Sequence, residues 1–146
     1  MNAIARNARH SLFVIAVGGA LLMAWAPFSA QAEDVKVMLS GGQEVPPVTS
    51  SGAGSGTISI GDDKIVTGSV TTTGVTGTMA HIHNGASGKN GPVIVPLSKS
   101  GENTWAVPPG AKLTDAQYAA FKAGDLYVNV HSAQHQGGEI RGQLKP

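Results

Sequence analysis

Histidine is scarce in this chain and unevenly placed: four of its five copies fall in two short clusters, His81-Ile82-His83 and His131-Ser132-Ala133-Gln134-His135. In an extended strand, residues i and i+2 share a face about 7 Å apart along the chain, so a His-x-His pair can turn two imidazoles onto one ion. The sequence contains no cysteine, which excludes disulfides, thiolate metal sites, blue-copper centres and cysteine nucleophiles. Imidazole donors without sulfur suit copper(II), zinc or nickel. An oxygen of Glu139 can add a ligand, or act as the acceptor that fixes a histidine tautomer. Met79 offers a soft donor for copper(I). Hydrolase chemistry lacks its motifs, since there is no Gly-x-Ser-x-Gly elbow, no His-Glu-x-x-His pair and no phosphate loop ending in Gly-Lys-Ser/Thr.

These side chains need strands to aim them, and alternation says which face each occupies. Over Thr78 to His83, Ala80 and Ile82 read as core, which puts Met79, His81 and His83 on the opposite face. Leu126, Val128 and Val130 likewise point inward and leave Tyr127, Asn129 and His131 outward. In the last strand Ile140, Gly142 and Leu144 are inward, and Glu139, Arg141 and Gln143 are outward. A hairpin around Gly137-Gly138 sets Asn129 opposite Arg141 and His131 opposite Glu139. The expected result is a solvent-facing sheet surface with three histidines, a carboxylate and a guanidinium. Ordinary alternatives stand beside this: a solvated histidine pair needs no ion, and for Glu139 and Arg141 ion pairing on a sheet surface is ordinary and contributes little. Trp105 and Tyr127 read as packing residues, and Glu44, alone before Val45-Pro46-Pro47, as structural.

Short β-branched runs punctuated by glycine give the rest an all-β texture. Strands are expected at Val35 to Leu39, Gly56 to Ile60, Ile65 to Thr72, Thr76 to His83, Pro92 to Leu97, Thr104 to Val107, Leu126 to His131 and Glu139 to Leu144. Gly61-Asp62-Asp63-Lys64 closes a hairpin. Strands at this spacing fold as an antiparallel sandwich or barrel. One segment departs from the pattern: Thr114 with Gln117 forms a capping box and Gly124 a stop, so a short helix is expected at about 114–123. Gly41 to Ser55 reads as a long surface connection.

The first 32 residues read as a cleaved secretory signal peptide: Arg6 and Arg9, an apolar run from Leu12 to Trp25, then Ala30-Gln31-Ala32 before Glu33. What remains, 33–146, is 114 residues (146 less 32) and fits one domain. Without Arg6 and Arg9, eight basic residues face nine acidic ones, so the formal charge moves from +1 to −1 and no nucleic-acid footprint is present. With no cysteine for a lipid anchor and no later apolar run of spanning length, the expected location is periplasmic or secreted, away from the membrane after cleavage.

Taken in order, five stretches make the sequence resemble the chordin-like (CHRD) domain, of the bacterial single-domain type, over nearly all of residues 33–146. They are Leu39-Ser40-Gly41-Gly42-Gln43-Glu44-Val45-Pro46-Pro47, Ala80-His81-Ile82-His83-Asn84-Gly85, Gly91-Pro92-Val93-Ile94-Val95, Leu113-Thr114 with Gly124 to Ser132, and Gly137 to Leu144. The resemblance implies an extracytoplasmic β-sandwich of immunoglobulin-like or superoxide-dismutase-like character, and implies little about activity. A looser similarity to copper/zinc superoxide dismutases would make His81, His83 and His131 copper ligands and Arg141 an anion guide. The disulfide cysteines and the separate zinc cluster of those enzymes have no counterpart here.

The leading expectation is an exported protein that binds a transition metal, copper foremost and zinc second, for carriage or sequestration. The ligands expected are His81, His83 and His131, with His135 or Glu139 completing the site. An extracytoplasmic protein-interaction module without metal is the alternative, and a copper-dependent superoxide dismutase-like enzyme comes third.

Overall fold

The computed structural model describes residues 31–146. The expected signal peptide, apart from Gln31 and Ala32, lies outside the described residues. Among them are nine strands, β1 (Ala32–Ser40), β2 (Ala53–Gly61), β3 (Val66–Thr73), β4 (Gly77–Asn84), β5 (Val93–Pro96), β6 (Ser98–Lys99), β7 (Thr104–Ala106), β8 (Leu126–Ser132) and β9 (Ile140–Leu144), and one helix, α1 (Asp115–Lys122). They form one antiparallel sheet ordered β5-β4-β8-β9-β1-β2-β3-β7-β6. The fold is all-β with a single short helix, as expected.

The sheet divides where β9 meets β1, because a single residue pair, Ser40 with Arg141, joins those two strands. The halves on either side bury a common apolar core. Val35, Val37 and Leu39 of β1, Ile58 and Ile60 of β2 and Val70 of β3 meet Ala80 and Ile82 of β4, Val128 and Val130 of β8, and Ile140 and Leu144 of β9. Each such side chain stabilises the fold by about 1.5–3 kcal/mol on full burial. This shared core gives the protein its sandwich character.

Local chemistry fixes the ends of the elements. The β2–β3 hairpin turns through Gly61-Asp62-Asp63-Lys64, with Lys64 N–H donating to Gly61 O at 2.8 Å and Lys64 itself in the left-handed region at φ 67°. Helix α1 starts on the expected capping box, Thr114 Oγ1 accepting from Gln117 N–H while the Gln117 side chain accepts from Thr114 N–H. Phe121 and Leu113 face the core, and the Tyr118 hydroxyl donates to Asp62 at 3.0 Å.

Two expectations need correction. The connection that starts at Gly41 ends at Gly52, since β2 begins at Ala53, and although Gly42, Gln43, Pro46, Pro47, Thr49 and Ser51 lie on the surface as expected, Gly41, Glu44 and Gly52 are buried. The outward face of β8 and β9 is not solvent-facing either, since every residue of β8 is buried and so are Glu139 and Arg141, whereas on β4 His83 is buried, His81 half-buried and Met79 exposed. Alternation identified the inner residues correctly, but the opposite face is roofed by loops that return across it.

Candidate metal centre

The roof is what makes the site. Three loops lie over β4, β8 and β9: the segment after β1 that carries Glu44, the β4–β5 loop from Gly85 to Pro92, and the β8–β9 turn. Arg141 holds the second of these. Its guanidinium is 1 % exposed, lies 3.4 Å from the Tyr127 ring centroid, and donates to Lys89 O at 2.7 Å, Ala86 O at 3.3 Å and Asn90 Oδ1 at 3.2 Å. Asn90 in turn donates through Nδ2 to Val45 O at 2.8 Å, so the first and second loops are tied together. Neither ion pair among the described residues, Lys64–Asp115 or Lys122–Glu33, involves Arg141. A guanidinium committed to loop carbonyls beneath a roof is not an anion guide or a surface partner of Glu139.

Under this cover His81, His83 and His131 converge, each with a ligand nitrogen within 4.8 Å of the others. Strand register sets them there: His81 pairs with Asn129, His83 with Tyr127, and Met79 with His131. Ring orientation follows from hydrogen bonds. His83 Nδ1 donates to Gly91 O at 3.0 Å and its ring stacks on Tyr127 at 4.8 Å, nearly parallel. Gly91 is fixed from its other side by its own N–H donating to Tyr127 Oη at 3.1 Å. His131 Nδ1 donates to Gln136 O at 2.9 Å. Both rings therefore carry the proton on Nδ1 and hold a bare Nε2. His83 Nε2 is buried without a partner, while His131 Nε2 accepts from His81 Nδ1 at 3.1 Å.

Burial, with the neighbouring imidazoles as a second cause, depresses the pKa of His81. His83 is also depressed, burial outweighing the hydrogen bond to Gly91, with His131 and Arg141 adding to the effect. Both are thus neutral at pH 7, the form that binds metals. Metal–nitrogen bonds of about 2.0–2.1 Å set tetrahedral donors about 3.4 Å apart. His81 Nδ1 and His131 Nε2, at 3.1 Å, already stand at that spacing, and the widest separation in the cluster, up to 4.8 Å, has to close by about 1.4 Å.

The other two expected ligands lie apart from this cluster. Glu139 accepts from Ser50 Oγ at 2.7 Å. Burial pushes its carboxyl up, but hydrogen bonds from Ser132 and Ser50 and the nearby His135 outweigh this and hold it below the usual range. His135 is half-buried in the β8–β9 turn and lines a cleft of about 330 Å³ with Glu44, Asn90 and Gly138.

Sequence reasoning passed over two residues. Glu44 is 5 % exposed and Asn129 2 % exposed, and they touch, Asn129 Nδ2 donating to Glu44 Oε2 at 3.5 Å. Burial raises the Glu44 pKa to about 7, against the opposing pull of Arg141 and the Asn129 hydrogen bond. No signal in the sequence marks it, because Gly42, Gln43, Pro46 and Pro47 around it are exposed and only the fold buries the carboxyl.

A covered polar face with three convergent imidazoles, set on one half of an antiparallel sandwich, defines a small all-β protein with a histidine centre. Its lineage is equally definite. Residues 35–144 match the family model of the CHRD domain, and the chain belongs to that family. CHRD domains are typically extracellular. Comparison with curated proteins gives no match, and comparison with solved structures gives none either. Among the described residues no helix is long and apolar enough to cross a membrane.

Proposed function

We propose that this CHRD-domain protein is exported by its N-terminal signal and binds one transition-metal ion, copper foremost, through His81, His83 and His131, to carry or sequester it outside the cytoplasm. The observation that carries the reading is the tautomer pattern. Two of the three rings give their Nδ1 proton to a fixed backbone carbonyl and turn Nε2 inward, the arrangement by which metal-ligating histidines are commonly held. His81 is the adaptable member: half-buried, it can move its proton to Nε2 and offer Nδ1. Carriage is favoured over superoxide chemistry because Arg141, the group an anion-steering enzyme would expose, is buried under the loops.

Titration of the purified protein with copper(II) and zinc(II), followed by calorimetry and EPR, tests this. One-to-one copper binding tighter than micromolar is expected, with nitrogen hyperfine structure that the His81→Ala/His83→Ala double variant loses. Weak, non-stoichiometric binding that the double variant leaves unchanged would overturn the metal reading in favour of a protein-interaction module.

A further inference from the structure

We propose that this centre prefers copper(I) to copper(II) and zinc(II), and that Arg141 sets the preference from behind Tyr127; the proposal rests on the three-histidine reading. The donors carry no charge. His81, His83 and His131 come together without a carboxylate among them, so an ion held there keeps its full formal charge. Neutral imidazole serves copper and zinc alike, which leaves the electrostatics of the surroundings to choose between the ions.

Those surroundings are cationic. Tyr127 stands in the middle of a stack: the His83 ring lies on it at 4.8 Å with 9° between the planes, and the Arg141 guanidinium lies 3.4 Å from its centroid. Two groups at those distances do not fit over one face of a phenol ring, so they occupy opposite faces. The guanidinium is buried, and its shortest hydrogen bonds go to Lys89 O, Asn90 Oδ1 and Ala86 O, all of them neutral acceptors. Neither ion pair among the described residues includes it. Glu44, on which its charge acts, is itself held neutral to about pH 7 by burial. A charge that is hydrogen-bonded but not neutralised acts through the protein interior with little screening.

The stack sets the size of the effect, because it puts the guanidinium roughly 10 Å from an ion bound to His83. At that separation, with an effective dielectric constant of about 20, a unit charge weakens binding about tenfold for each unit of charge on the ion. A divalent ion meets this repulsion twice and a monovalent ion once, so the ratio of the two affinities moves about tenfold toward copper(I). Coordination acts in the same direction. Copper(II) favours a tetragonal set of nitrogen and oxygen donors, and the three imidazoles are one donor short of it.

The test measures the affinities of the wild-type protein for copper(I), copper(II) and zinc(II) by chelator competition, copper(I) under anaerobic reducing conditions. Copper(I) is expected to bind more tightly than either divalent ion by about tenfold or more, which places the copper(II)/copper(I) midpoint potential above that of the aqueous couple. A divalent ion held as tightly as copper(I) would overturn the preference. Arg141→Met removes the charge, and Asn90→Asp, nearly isosteric, neutralises it in place through the existing contact with Arg141. Each is expected to shift the ratio of copper(I) to copper(II) affinity about tenfold toward copper(II), whereas Arg141→Lys keeps the wild-type ratio. If Arg141 only braces the loops, the variants weaken both ions together and leave the ratio fixed, a result that would overturn its role. Asn90→Asp retains the guanidinium and decides the point even if Arg141→Met does not fold. Binding of neither copper ion at one equivalent, or binding that His81→Ala/His83→Ala leaves unchanged, would overturn the three-histidine reading and this inference with it.

Discussion

Glu44 is the residue whose ionisation the fold resists most clearly. Its carboxyl keeps a proton to about pH 7 when folded, against a reference value of 4.5. A raised acid pKa contributes stability in full below pH 4.5, and that contribution is lost as pH rises to about 7. The total is about 3 kcal/mol at 1.36 kcal/mol per pKa unit. The depressed pKa values of His81 and His83 act in the opposite sense, since the fold penalises their protonation and so loses stability as pH falls below 6.5. Glu44→Gln isolates the first effect. Urea denaturation at pH 4.5 and pH 8 is expected to show the variant gaining about 3 kcal/mol on the wild type between the two conditions. An unchanged difference would mean that the carboxyl ionises freely.

At the scale of the elements, β8 carries the site because it is buried on both faces, and the β8–β9 turn keeps its outer face closed. Gly138 adopts φ +132°, and its Cα hydrogen faces the Asn129 amide and Glu44. Gly137 next to it has nothing within 4 Å of a built Cβ. Gly138→Ala is therefore expected to destabilise the protein by about 1–3 kcal/mol and to weaken copper binding, while Gly137→Ala leaves both near wild type; thermal denaturation and a chelator competition read the two. Much of this level was legible in the sequence. Alternation separated Ala80 and Ile82 from His81 and His83, and the Asn129–Arg141 register was read directly from the Gly137-Gly138 turn. The cover was not legible. Strand patterning says which residues share a face, whereas the loops that roof that face are polar, irregular and distant in sequence. Arg141 consequently looked like a surface group, and Glu44 like a structural residue with no stated partner. The short strand β6 was missed for a related reason, since two residues are too few to show any period.

For the molecule as a whole, the histidine cluster and its roof join segments that the core does not. Copper at 100 times its dissociation constant is expected to add about 2.7 kcal/mol to stability, since only the folded chain offers three aligned nitrogens. For a domain of this length that is roughly a 10 °C rise in Tm. Differential scanning calorimetry should show the rise in the wild type and none in His81→Ala/His83→Ala, and equal shifts in both would place the ion elsewhere. The sequence alone disclosed the histidines that cluster and the family. The buried contact of Glu44 with Asn129 emerged only from tertiary placement.

The roof has one more consequence, and it concerns time. Two of its ties, Asn90 to Val45 and Arg141 to Lys89, span 45 and 52 residues, and contacts of that kind form only after the intervening chain has closed on itself. An emerging polypeptide holds His81 and His83 long before it holds a socket for an ion. On the proposed metal reading, selection of the ion is deferred until the last strand docks: the chain would travel empty, and completing the fold would be the act that opens it for loading.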